Sequence, residues 1–450
     1  MAKGPDKSRR RSVESRSNVP KKPSSINAKN VAIGGAVLAV VAGVVFRIQN
    51  QAVVSKEGKD VPVATSRMEK PKEKDVVVPT FEISDGLEAN PFAKSPGLTP
   101  QQLDEISKTM VEEIRRGILD YVVPEQKNHP EDKRGVLAGF IMQTAEQMGR
   151  MNSGIAAEIN LLMKNQDRDI MYRVLRYINA YLLDQGYYLS VAMNDAGDDI
   201  NLYPVLKKKT VAVSDYEGTE KVPALVLGKG LLLEENGPNG FTPAPFHDHA
   251  LVLPHNVERA SDGILDYYRQ NGIKPPCSDA QLRGDMEQDF LRHEAMHVVL
   301  ARRFPRTEKK MMEGRPFSLN TQVQIPGSPA LAQINGVFAP TSPSELVAWG
   351  AQIANSNNAI PYSHLVSFSE DAQPQNRLVE RLLPLATLDA ASPQSPIRAR
   401  IIQDMLSGSA QHDDFRTLVF DPSFSMEDRK KSGEIIYRRG YEMVRKLDQE

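Results

Sequence analysis

Apolar positions along the chain change texture several times, and each change predicts a different kind of segment. Residues 1–30, which include "KSRRRSVESRSNVPKKPSS", are basic, Ser-rich and nearly free of large apolar side chains. Such a segment cannot bury enough surface to offset the entropy of ordering, so it is expected to be a disordered tail. Val31 to Phe46, "VAIGGAVLAVVAGVVF", is an apolar run without a single charge. Residues 49–98 are rich in Pro, Lys, Glu and small side chains and read as an extended or flexible linker, with "VVVPTFEI" the one strand-like piece.

Helical periodicity begins near Thr99. In "TPQQLDEISKTMVEEIRRGIL" Thr99 is a natural N-cap, Pro100 takes the first helical position and Gln102 stands three residues after the cap. Leu103, Ile106, Met110, Ile114 and Ile118 then keep helical spacing. Further helices are predicted over 135–164 and 168–185, the second with Ile170, Val174, Ile178 and Leu182 on one face. Residues 99–185 are therefore expected to be a helical region. Next come short apolar runs broken by Gly, Pro, Asn and Asp: "YYLSVAMN", "LYPVLKKKTVAVSDY", "KVPALVLGKGLLL" and "HALVLPHN". They predict the strands of a small sheet. Helices are expected again at about 286–303, 343–355, 376–386, 396–407 and 425–448. Strands followed by helices imply an α+β fold, and no internal repeat is present.

The uncharged run at 31–46 has three readings. A single membrane span comes first: it is slightly short for a ~30 Å hydrocarbon core, but Asn30 and Arg47 can sit at the interfaces. A cleaved signal peptide and a buried helix are the others, the latter disfavoured by the Gly and Val content. Arg9, Arg10, Arg11, Lys21, Lys22 and Lys29 precede the run. By the positive-inside rule the tail stays in the cytoplasm and the remainder crosses, the periplasmic side of a bacterial inner membrane being the first expectation.

Composition narrows the chemistry. The chain of 450 residues carries 56 basic and 57 acidic side chains, a balance unlike that of a nucleic-acid binder. Its one cysteine, Cys277, excludes an internal disulfide and a Cys-based zinc cluster, so any metal must sit on His, Asp or Glu.

Two of the 8 histidines lie four residues apart in "FLRHEAMHVVL", residues 290–300. On a helix His293, Glu294 and His297 fall within about one hundred degrees of each other, and apolar residues fill most of the remaining surface. Pro305 stops this helix. Burying two imidazoles and a carboxylate costs several kcal/mol unless they are paired or hold a metal. Residues i and i+4 can reach one ion. The competing reading is a pair of core histidines bonded to their neighbours.

"HEAMH" resembles the HExxH motif of zincin metallopeptidases. Its flanks are similar too, with uncharged Ala295 and Met296 inside the motif and apolar Val298 and Val299 after it. The resemblance implies a zincin-like small sheet followed by an active-site helix and C-terminal helices. It implies Zn²⁺ on His293 and His297, with Glu294 as the general base that activates a zinc-bound water.

A catalytic zinc takes a third protein ligand. The metzincin extension is absent, because Leu300 and Arg303 stand where its Gly and His would be. A ligand from a second helix remains, as in gluzincins, and Glu345 in "TSPSELVAWGAQIAN" is the candidate. The alternative is that Ser342 and Glu345 form an S-x-x-E capping box. His364 and Glu370 are reserves for the third ligand, and Tyr362 and His364 are candidates for an oxyanion contact. No Asp follows Glu345 by one turn, where Trp349 stands, and the thermolysin-like signature is missing. His247 and His249 in "APFHDHALVLPHN" share a strand face and are either a second metal or cleft site or part of a loop entering the sheet. "ALVLP" is a candidate edge strand for pairing with an extended substrate.

The expected organisation is a tail at 1–30, an anchor at 31–48, a linker at 49–98, a helical region at 99–185 and a metallopeptidase domain at 186–450. The expected activity is membrane-anchored, zinc-dependent hydrolysis of a peptide or protein substrate. The alternative is a non-catalytic membrane-tethered scaffold whose metal is structural or absent.

Overall fold

The computed structural model describes residues 76–88, 97–164, 170–194, 197–232, 240–241, 248–270, 272, 274–275, 277–314, 316–326, 331–357, 376–407 and 423–449. The expected tail and anchor, together with His247, Tyr362, His364 and Glu370, lie outside these residues. Among the described residues no helix is long and apolar enough to cross a membrane.

The fold is α+β, as the pattern predicts. Helix α1 (Pro100–Gly117) opens with the anticipated cap: the Thr99 hydroxyl accepts from the Gln102 amide and the Gln102 side chain accepts from the Thr99 amide. It runs on through a π turn (Ile118–Val122) and a short helix (Val123–Asn128). The single helix expected over 135–164 is two, α2 (Lys133–Met151) and α3 (Ser153–Lys164). Asn152 breaks it by turning its side-chain oxygen onto the Gly154 amide at 2.8 Å, an interaction that competes with helical backbone bonding. Helix α4 (Ile170–Leu182) buries Val174, Ile178 and Leu182.

The main sheet has the order β1 (Thr80–Asp85), β3 (Gly197–Asp215), β4 (Gly218–Leu227), β6 (Ala250–Val252), β5 (Gly240–Phe241), with β2 (Tyr187–Asn194) paired to β3. All pairs are antiparallel except β4 with β6. Strand β1 comes from the stretch read as a linker: "TFEISD" is threaded onto β3, with Phe81 and Ile83 packed on the core. The proposed edge strand "ALVLP" is not an edge along its length, since Leu251 and Val252 pair with β4 on one side and β5 on the other.

Period-two alternation sorts the sheet's two faces. Leu225, Leu227, Leu251 and Leu253 pack with α1, α2, α3 and α4. Ala224, Val226, Ala250 and Val252 pack with the opposite layer, built from α5 (Pro254–Gln270), α6 (Asp279–Arg303), α8 (Ser342–Asn355) and α11 (Met426–Gln449). The helical region and the residues that follow it thus share one sheet, and Lys56–Glu450 forms one unit. A further core joins the hairpin β7 (Phe317–Gln324) and β8 (Leu331–Phe338) to α8, α9 (Arg377–Ala390) and α10 (Pro396–Ser407).

Helix α6 starts earlier than its apolar run suggests, at a Ser278 cap whose hydroxyl accepts from the Gln281 amide. It ends at Arg303, and Pro305 opens α7 (Pro305–Met312). Arg303 fastens that end of α6 to β3 and β4, its Nε 2.6 Å from Glu220 and its Nη1 close to Asp215 and Glu217. Helix α6 is thereby held against the sheet at its far end and against α8 along its middle.

A candidate metal centre on two antiparallel helices

His293 and His297 lie on consecutive turns of α6 and direct their Nε2 atoms to one point, 3.2 Å apart. Their rings meet edge to face, with centroids 4.9 Å apart. Glu345 enters from the first turn of α8, its carboxylate oxygens 3.4 Å from His293 Nε2 and 3.7 Å from His297 Nε2. A tetrahedral zinc with bonds near 2.1 Å has ligand–ligand edges of about 3.4 Å, so the three donors already stand at the corners of such a polyhedron. Among the described residues this His, His, Glu group is the one able to hold a metal ion.

The capping alternative for Glu345 is not what forms. Helix α8 is capped at Thr341 without a side-chain bond, and the buried Ser342 hydroxyl has no hydrogen-bond partner. Burial works against the charge on Glu345, but His297 and His293 beside it more than offset that and hold the carboxyl below its usual range. Burial likewise opposes a charged His293, and Glu345, Glu294 and Gln352 outweigh it and raise the imidazole. By itself the group is electrostatically self-consistent, an imidazolium and a carboxylate each favouring the other's charge, and a metal cation would take the place of the imidazolium proton.

Around the donors the packing is specific. His293 Nδ1 lies 3.0 Å from Gln352 Oε1. An amide oxygen there accepts the Nδ1 proton and leaves the Nε2 lone pair for a metal. Trp349 stands edge-on to His293 at 4.9 Å between centroids, and its Nε1 donates to Asn376 Oδ1 at 3.2 Å. Glu294 is 5% exposed and lies outside the donor group, as its angle on the helix requires. Gln352 is not singled out by the sequence, and Trp349 enters there only as the residue one turn after Glu345. The signal was available: both share the Glu345 face of α8 at helical spacing, and a glutamine inside an otherwise apolar helix needs a partner.

Helix α8 is pressed onto α11 through glycines. A Cβ at Gly350 would stand 2.4 Å from the Tyr437 backbone nitrogen, one at Gly433 2.5 Å from the Ala354 nitrogen, and one at Gly440 2.9 Å from Val347. This close approach sets how far α8, and with it Glu345, can sit from α11.

His249 belongs elsewhere. It is buried on the other face of the sheet, with Nε2 2.8 Å from the Tyr188 hydroxyl and Nδ1 2.6 Å from Asp248, whose carboxylate pairs with Arg176 at 2.9 Å. Both its ring nitrogens are met by neighbours, and it joins the helical layer to β6.

No protein-family model, no curated protein and no solved structure matches the chain.

Proposed function

We propose that the chain is a membrane-anchored, zinc-dependent metallopeptidase. The observation that supports this most directly is the convergence of His293, His297 and Glu345 at tetrahedral spacing on a buried helix pair. Two imidazoles and one carboxylate leave a fourth position open, which is the donor set of a catalytic zinc and not of a closed structural one. Zinc, when bound, draws the pKa of a water toward about 7 and polarises a carbonyl. Glu294 carries the proton: it accepts one from the attacking water and returns it to the leaving nitrogen. Gln352 holds the His293 ring in the tautomer that presents Nε2, and Trp349 fixes the ring from its edge. The substrate is a peptide or protein. Residues 31–48 supply the membrane span, with the basic tail in the cytoplasm and the catalytic part on the extracytoplasmic side.

The decisive variant is Glu294→Gln. It is expected to retain zinc at the wild-type stoichiometry and to lose cleavage of an unstructured protein substrate by roughly 10²–10⁴-fold. Unchanged cleavage refutes the mechanism. Purified protein without zinc, and unaltered by chelator, supports the tethered scaffold instead.

A further inference from the structure

The polar contacts between α6 and α8 form a ladder. Asp289, His293 and His297 lie one turn apart along α6, and they meet Ser356, Gln352 and Glu345 in descending order on the other side. The two helices therefore run antiparallel. The outermost rung is a hydrogen bond of 3.0 Å from the Ser356 hydroxyl to Asp289 Oδ2, while Arg292 Nη1 holds Asp289 Oδ1 at 2.6 Å. Both ends are buried, Asp289 at 2% exposure and Ser356 at 1%.

Nothing in the hydrolytic chemistry calls for this rung. Asp289 is two turns from His297, about 12 Å along the helix axis. A buried carboxylate is also an expensive way to join two helices, since well-packed apolar residues of similar volume stabilise as much or more. What apolar contacts lack is register. Apart from the Trp349 ring that stands edge-on to His293, the remaining seam is small and aliphatic on the α8 side, with Val347, Ala348 and Ala351 in one apolar cluster with residues of α6. Such a surface tolerates sliding; a directed hydrogen bond does not. A slip of one turn moves Glu345 by about 5.4 Å, which exceeds the 3.2–3.7 Å separations between the three donors.

We propose that the Asp289–Ser356 hydrogen bond is a positioning device: it sets the register of α8 on α6 and so the place of the Glu345 carboxylate against the two imidazoles. The inference rests on the metal reading of the site and adds to it a residue pair that the HExxH motif does not contain. Its effect is on metal binding, upstream of any proton transfer.

The test is zinc affinity of the full chain, by competition with a chromophoric chelator, together with the visible absorption of the cobalt(II) form, which reports the ligand set. Ser356→Ala is expected to bind zinc about ten-fold more weakly, within the range for partners that orient metal ligands, and to alter the cobalt bands. Ser356→Thr keeps the hydroxyl and is expected to restore both. Thr144→Ala is the structural control, because its buried hydroxyl bonds the Phe140 carbonyl within α2, in the layer across the sheet from the donors; it lowers the unfolding temperature and leaves affinity unchanged. If Ser356→Ala binds zinc like the wild type and loses only thermal stability, the rung is structural and the inference falls while the metal site stands. If the wild-type chain binds no zinc, both fall together.

Discussion

Gly350→Ala separates two opposing effects whose sizes differ. Gly350 lies inside α8, where helix propensity alone favours alanine by about 1 kcal/mol. The added Cβ, however, would stand 2.4 Å from the Tyr437 nitrogen and 2.6 Å from its Cα, both main-chain atoms of α11. Ordinary contact begins at 3.4 Å, so the helices must part by about 1 Å, since 3.4 − 2.4 = 1.0. Neither backbone can rotate out of the way. Overpacking of this kind costs typically 1–3 kcal/mol, and a gap of that width forfeits a quarter to a half of each neighbouring contact. Gly284→Ala in α6 is the matched control, because nothing lies within 4 Å of its Cβ position. Subtracting the control cancels propensity and leaves the clash, so Gly350→Ala should be less stable than Gly284→Ala by about 1–3 kcal/mol. Urea unfolding measures this, read by far-UV circular dichroism and by the fluorescence of Trp349, the chain's single tryptophan. Because α8 carries Glu345 on its opposite side, zinc affinity should fall as well. Equal stability of the two variants would show that the α8–α11 approach is slack and would sink the claim that it positions Glu345.

Two further outcomes are expected. Glu345→Gln removes the anionic donor and leaves two neutral imidazoles, so zinc affinity should drop by at least ~10²-fold relative to the wild type; wild-type affinity in a chelator competition would exclude Glu345 as a ligand. Burial pushes the Asp289 carboxyl up to about 7, aided by Asp285 and opposed by Arg292 and Ser356. A folded pKa above the unfolded value of 3.8 means that this group's contribution to stability is complete below about pH 4 and is lost as pH rises through 7. About three pKa units correspond to roughly 4 kcal/mol at most. Asp289→Asn removes that titration, so its stability relative to the wild type should rise between pH 4 and 7 in urea unfolding with chelator present. Parallel curves for the two proteins would contradict the buried-carboxylate account.

Local signals carried much of the fold into view. The Thr99 cap, the β2 strand and the long C-terminal helix are dictated by side chains within a few residues of each other, and each forms as its pattern requires. Other elements had the right pattern and went unread. Val257, Ile264, Leu265 and Tyr268 have helical spacing in α5, and Phe317, Leu319, Thr321 and Val323 alternate along β7. Strand β1 is different in kind. "VVVPTFEI" is strand-like by its own pattern, but nothing local names its partner, and "TFEISD" becomes a paired strand because β3 offers it a ladder.

The candidate metal donors divide along the same line. A helix apolar on most sides that nevertheless carries His293, Glu294 and His297 states its own problem, since buried imidazoles must be compensated; that much was determined by sequence alone. Whether Glu345 is a ligand or a helix cap could not be, because its local surroundings support both. Helix α8 docks antiparallel on α6, beside the glycines of the α11 contact and the polar rungs at Gln352 and Ser356, and that docking sets the Glu345 carboxylate 3.4 and 3.7 Å from the two imidazoles and not on its own cap. Local spacing specifies what a helix face presents, but only packing between distant segments specifies what that face meets.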